Sequence, residues 1–178
     1  MKESYLAYGC FMALIYCAGS GTGTFRENLP ARLTVLAFFA ALVRTAVEDM
    51  KCMEIADRNH LHFLILAGIS CVTMPEIGVL SRAAGMLCVS VPFLLFALAF
   101  PGSFGGGDIK LAAVCGAFLG WKRMAASALI GILLAGLWGG CQLAAGKKGR
   151  RDPFPLVPFL GLGMAVGIFA GEMLMGWL

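Results

Sequence analysis

The chain has 178 residues, 60% of them hydrophobic and 13% charged, with a net charge of +4 and a mean hydropathy of +0.85. Soluble domains run at roughly 45–50% apolar and about 25% charged, so this balance excludes an ordinary soluble globule and a disordered chain. The modest positive charge sits in short clusters between apolar runs, as loop anchors do, and does not point to nucleic-acid binding.

Backbone groups in lipid must be satisfied internally, by helices or a closed barrel. The apolar runs are continuous and lack period-two alternation, which selects helices. The fold class expected is an all-α polytopic transmembrane helical bundle of about six to seven membrane helices. In chain order the segments are approximately 4–19, 30–48, 61–79, 83–101, 108–121, 124–145 and 157–177. The first is short, with Lys2 and Glu3 before it. Further helices follow at once, so it is expected to be a retained helix rather than a signal peptide. Pro30 stands near the start of the second, where its missing N–H costs nothing. Pro101 closes the fourth. The fifth is short and is preceded by a Gly-rich stretch. Pro153, Pro155 and Pro158 break the chain before the last.

Short loops predict antiparallel neighbours in one integral-membrane domain over 1–178. The 24 glycines suit close helix packing in lipid. Seven cysteines are scattered through the apolar runs without a CxxC pair, so they read as packing residues, with no zinc site or disulfide framework.

Alternating the loops from a cytoplasmic N-terminus places Lys2, Arg44, Lys51, Arg58, Lys110, Lys147, Lys148, Arg150 and Arg151 on one side. Arg26, Arg32, Arg82, Lys122 and Arg123 fall on the other. Nine against five makes the first side cytoplasmic. The expected location is therefore the cytoplasmic membrane, multi-pass, with the lipid bilayer as partner.

Two carboxylates stand at the ends of apolar runs. Asp49 ends the second segment, and Asp108 opens the fifth behind Gly105, Gly106 and Gly107. Ionisable residues at a membrane boundary are expensive and usually mark a site. The glycines let the backbone turn sharply and approach another chain closely. Two antiparallel segments lie between the aspartates, so both return to the same membrane face. Carboxylates a few Å apart share one proton. The ionised member can then activate a water while the protonated member donates to a peptide carbonyl. Asp108 as a mere N-cap is chemically reasonable, whereas Asp49 at a helix C-terminus opposes the macrodipole and is not there for helix stability.

These residues carry a resemblance. Asp49-Met50-Lys51-Cys52-Met53-Glu54-Ile55-Ala56-Asp57 resembles the first motif of type IV prepilin peptidases, an Asp followed six residues later by Ile-Pro-Asn/Asp. Gly105-Gly106-Gly107-Asp108-Ile109-Lys110-Leu111 is similar to their second motif, Gly-x-Gly-Asp continued by x-Lys-Leu. The resemblance covers about 30 to 145. It implies an intramembrane aspartic endopeptidase with Asp49 and Asp108 as the catalytic pair. Gly105, Gly106, Gly107 and Lys110 would support the pair, and no cofactor or metal is implied. The implied substrate is a prepilin or pseudopilin precursor, whose short basic leader is removed at the cytoplasmic membrane face. Asp57 and Arg58 are surface residues with a candidate role in gripping that leader.

Two departures stand out. Ala56 replaces the family's Pro, which predicts a looser turn after Asp49. The N-terminal zinc-associated cysteine region of the larger bacterial members is missing from this sequence. The expectation is a short form that cleaves without methylating, as serves Flp/Tad-type pili, competence pseudopili or archaeal flagellins.

Other residues read more plainly. Glu48 points elsewhere on its helix than Asp49. Lys110 either touches the aspartate region or snorkels to the interface. His60 and His62 read as interfacial, and Glu76 and Glu172 as outer-end residues. The Lys147–Arg151 block reads as a topology anchor. The rival functions are a small proton- or cation-coupled transporter and an inactive pilus-assembly scaffold. A transporter calls for repeats and broken helices near the midplane, and no repeat is visible.

Overall fold

The computed structural model describes residues 29–101, 104–146 and 154–175, with side chains as far as 168 in the last stretch. The segment 4–19, the Lys147–Arg151 block and the Glu172 side chain lie outside the described residues.

Six helices make up the described chain: α1 Leu29–Cys52, α2 Asp57–Thr73, α3 Val79–Ala99, α4 Gly106–Leu119, α5 Trp121–Ala144 and α6 Val157–Met175. They match the expected segments one for one from the second onward, and no strand occurs among the described residues. The architecture is an all-α helical bundle. Three helices, α1, α3 and α5, are long and apolar enough to cross a membrane. By contrast α2 has 17 residues and α4 has 14. At 1.5 Å per residue α4 is about 21 Å long, short of the roughly 30 Å hydrocarbon core.

Local chemistry sets the boundaries. α1, the second expected segment, runs past 48 to Cys52, so Asp49 lies within its last turn rather than beyond its end. Met53 closes it in the left-handed region, φ +53°, with its N–H donating to the Asp49 carbonyl at 2.8 Å. α2, the third expected segment, stops at Thr73, well before 79. Pro75 restricts the residue before it, and Met74 leaves the helical region at φ −133°, ψ 66°.

Packing follows the order α1–α2–α4–α3–α5–α6 and returns to α1. Most sequence neighbours pair as expected, but α2 and α3 do not: α4 lies between them and packs against both. Small residues permit this. Gly85 of α3 and Gly116 of α4 meet backbone to backbone, so a Cβ on either would run into the other's carbonyl. The core between α1, α2 and α4 is aromatic. Phe38 stacks on Phe118 at 4.2 Å between centroids and meets Phe63 edge-on at 5.4 Å.

Arg82 of α3 is buried at the end of the bundle where α2 and α4 finish. It donates to the carbonyls of Ser70 and Met74 from α2, to Ala117 and Phe118 from α4, and to Ile77. Helix C-termini carry unpaired carbonyls and partial negative charge, so one guanidinium satisfies two helix ends at once. Asp49, Asp57 and Asp108, at the end of α1 and the starts of α2 and α4, lie at the opposite end of the bundle.

Candidate active site

The buried stripe of α1 runs Ala31, Val35, Phe38, Leu42, Ala46 and then Asp49 at helical spacing. The face that builds the core therefore carries the carboxylate inward, and Asp49 is only 5% exposed. Its Oδ2 accepts the backbone N–H of Val157 at 3.0 Å. Val157 is the first residue of α6. The N–H groups of a helix's first turn have no partner within the helix, and the dipole there favours negative charge.

Asp108 sits in the first turn of α4. Its N–H donates to the Gly105 carbonyl at 3.1 Å. Oδ1 is buried with no hydrogen-bond partner among the described residues. Burial first, and the nearby Asp49 charge second, push the Asp108 carboxyl up to about 6.

Both aspartates line one cavity of about 250 Å³, together with Met53, Glu54, Ile55, Gly105, Gly106 and Gly107. Three carboxylates line this space, and no cation lines it among the described residues. Met53 holds its left-handed backbone here without being a glycine, a conformation costing about 1 kcal/mol and typical of functional turns.

Contacts between the α1–α2 connection and the start of α4 bring the two motifs together. Gly107 lies against Ile55 so closely that a Cβ there would be 3.2 Å from the Ile55 Cβ. Lys110 Nζ donates to Asp57 Oδ1 at 3.0 Å. That contact, by hydrogen bond and then by charge, holds the Asp57 carboxyl below the ordinary range. His60 Nε2 lies 3.0 Å from the Gly107 carbonyl oxygen. Phe104, just before the glycines, stacks on Phe93 of α3 at 4.4 Å.

The expected site residues divide accordingly. Asp49, Gly105, Gly106, Gly107 and Asp108 share the cavity. Lys110 is exposed beside it and is engaged with Asp57. Arg58 pairs with Glu48 at 3.2 Å, and Glu48 also holds Asn59 at 2.6 Å and Arg44 at 3.3 Å. Ala56 has φ −65° and ψ 139°, the conformation proline would impose, so the expected loosening of the turn is absent from its backbone. The sequence reading missed Glu54 in the cavity wall and Val157 as donor to Asp49. It also read His60 as interfacial, whereas the side chain is buried. Only the Pro155-Leu156-Val157 helix start offered a signal for the second of these.

Residues 35–140 match the type IV leader peptidase family. A prepilin leader peptidase/N-methyltransferase of Bacillus subtilis (strain 168) is 31% identical over 168 residues, which is 92% of this chain and 64% of that protein. A protein of the same description from Burkholderia pseudomallei (strain 1026b) is 31% identical over 149 residues, 79% of this chain and 47% of its own length. A third, from Legionella pneumophila, is 31% identical over 103 residues, 57% of this chain and 36% of its own. The chain thus spans less than two thirds of the length of these relatives. No solved structure matches it. The family match takes in Asp49, Asp108 and the glycines between which the cavity forms: the chain belongs to the type IV leader peptidase family.

Proposed function

We propose that this protein is an intramembrane aspartic endopeptidase that removes the leader from type IV prepilin-like precursors at the cytoplasmic membrane face. The reading rests on one observation above all: Asp49 and Asp108, from the two motif segments, line the same cavity.

The proposed chemistry follows from their surroundings. The pair shares one proton. Val157 N–H occupies one oxygen of Asp49, leaving Oδ1 to take a proton from a water. The water oxygen attacks the scissile carbonyl carbon while the Asp108 proton passes to the carbonyl oxygen. The tetrahedral intermediate then collapses: the C–N bond breaks, the proton taken by Asp49 passes to the leaving amine, and the hydroxyl that re-forms C=O returns its proton to Asp108. General acid–base catalysis contributes about 10²–10⁴-fold for each positioned group. Gly106 leaves room for an extended substrate backbone, since a Cβ there would meet nothing within 4 Å.

A basic leader fits the charge of the cavity. Glu54 is exposed in the wall, and no cation shares the lining with it among the described residues. Asp57 and Arg58 at the start of α2 are both exposed, and Asp57 remains accessible beside Lys110 to a second cation. The transporter alternative calls for carboxylates near the bilayer midplane, and these lie at helix ends.

The test is co-expression with a prepilin-like precursor, comparing wild type with Asp49→Asn and Asp108→Asn on a gel that resolves leader removal. Asn keeps the shape and cannot shuttle the proton. Cleavage by wild type and by neither variant is expected. Equal cleavage by a well-expressed variant would remove that aspartate from the mechanism.

A further inference from the structure

Gly105, Gly106 and Gly107 have no side chains with which to hold themselves, yet they place Asp108. A run of three glycines is intrinsically the most mobile backbone a chain can offer; Gly106 and Gly107 are held only by the first turn of α4, where helices fray, so a contact from outside adds to what fixes them. The peptide unit between Gly107 and Asp108 is planar and includes both Cα atoms. Fixing its two polar ends therefore fixes the Cα of Asp108. The N–H end donates to the Gly105 carbonyl at 3.1 Å, a contact inside the glycine run itself. The C=O end lies 3.0 Å from His60 Nε2, on a different helix and 47 residues away.

His60 suits this task. It lies in the first turns of α2 and is 8% exposed. A carbonyl oxygen only accepts, so Nε2 carries the proton and donates. Nδ1 faces Asp57 Oδ1 at 3.6 Å, beyond hydrogen-bond distance. Asp57 in turn holds Lys110, two residues after Asp108. α2 thus touches α4 before and after the aspartate, and His60 is the buried contact of the two.

We propose that His60 is a positioning residue of the dyad: its Nε2–H holds the Gly107 carbonyl and so sets where Asp108 stands relative to Asp49. This rests on the peptidase reading above. A displacement of about 1 Å in a catalytic group can cost about 100-fold in rate, so a partly released turn is expected to show in kcat rather than in substrate binding.

The test uses the full chain in detergent or nanodiscs, with His60→Leu, which fills the buried space without a donor, and His60→Ala beside it. His60→Gln is the rescue, because its amide nitrogen can reach as Nε2 does. Two readouts are taken: amide hydrogen exchange along α4, and kcat and KM on a prepilin-like precursor. The expected result in the Leu and Ala variants is about fivefold faster exchange at Gly107–Ile109, with Leu111–Leu119 unchanged. kcat is expected to fall about tenfold with KM within about twofold, and His60→Gln to restore both readouts. Unchanged exchange in a folded variant would overturn the tether. Faster exchange with unchanged kcat would overturn the positioning role. A kcat loss that Gln does not rescue and that follows the melting temperature would reduce His60 to packing. If Asp49→Asn and Asp108→Asn cleave like wild type, the dyad reading falls and the positioning role with it. The exchange readout still decides the tether, so the two failures are told apart.

Discussion

Asp49 Oδ2 accepts the N–H of Val157 at 3.0 Å, so a carboxylate in the last turn of α1 caps the start of α6. The bond joins the catalytic candidate to α6, a helix that does not carry the Gly-rich motif. It also separates stability from catalysis. Asp49→Asn keeps an acceptor for Val157, and its melting temperature should stay near wild type. Asp49→Ala removes the acceptor and should cost about 1–2 kcal/mol, as loss of a helix cap does. Thermal unfolding of the two variants in one detergent checks this; equal losses would mean the cap contributes nothing.

The raised Asp108 carboxyl sets a pH dependence. Its folded value is about 6 against an ordinary 3.8. Between these, the folded protein holds a proton that the unfolded chain has released. The group's stabilising contribution is therefore full below about pH 4 and is lost as pH rises through about 6. In the proposed dyad it serves as the acid, so cleavage should also fall by about tenfold per pH unit above that point. Asp108→Asn should flatten the melting-temperature slope. Asp49→Asn should lower the Asp108 value without returning it to the ordinary one, because burial is the larger cause. A melting temperature that rises from pH 4 to 7 in wild type but not in Asp108→Asn would contradict the sign.

Glu54 is the carboxylate of the cavity wall that the dyad does not use. Glu54→Gln should raise KM for a precursor with a basic leader about threefold to tenfold and leave kcat unchanged, and Glu54→Lys should raise it further. Replacing the leader's cations by acids should relieve the Glu54→Lys defect. Indifference of KM to both variants would place the leader elsewhere.

Ala56 already holds φ −65° at the N-cap of α2. Ala56→Pro should therefore stabilise the protein by about 0.4–1 kcal/mol through the unfolded state. A loss of stability instead would show that the Ala56 N–H, or the residue before it, needs freedom that proline denies.

The Gly85–Gly116 contact should tolerate no Cβ. Gly85→Ala would force α3 from α4 and should cost about 1–3 kcal/mol or more. Gly136→Ala on α5, where a Cβ meets nothing within 4 Å, is the matched control and should be neutral or stabilising. Equal effects at the two positions would mean the α3–α4 contact is loose.

The helical segments and the two motif aspartates were legible in the sequence because each depends on local information. Continuous apolar runs dictate helices in lipid whatever surrounds them. A carboxylate behind three glycines is conspicuous against 60% hydrophobic residues. The return of Asp49 and Asp108 to one end of the bundle followed from counting the segments between them. Boundaries were less legible: Pro75 ends α2 early, while α1 continues past Asp49 because nothing before Met53 stops it.

Partnerships were decided only in three dimensions. Asp57 and Arg58 read as free surface charges, and the fold gives each a partner, Lys110 and Glu48. Val157 could not be matched to Asp49, nor His60 to Gly107, because those contacts join residues 108 and 47 positions apart. Their geometry arises from helix packing, above all from α4 lying against α2 as well as α3. Hydropathy and motif spacing are properties of the chain read along its length, so the sequence by itself determined the helices, the family motifs and the end of the bundle where they meet. Hydrogen bonds between distant helices depend on crossing angles and close glycine contacts, so the tertiary structure alone decided which groups hold the two aspartates in place.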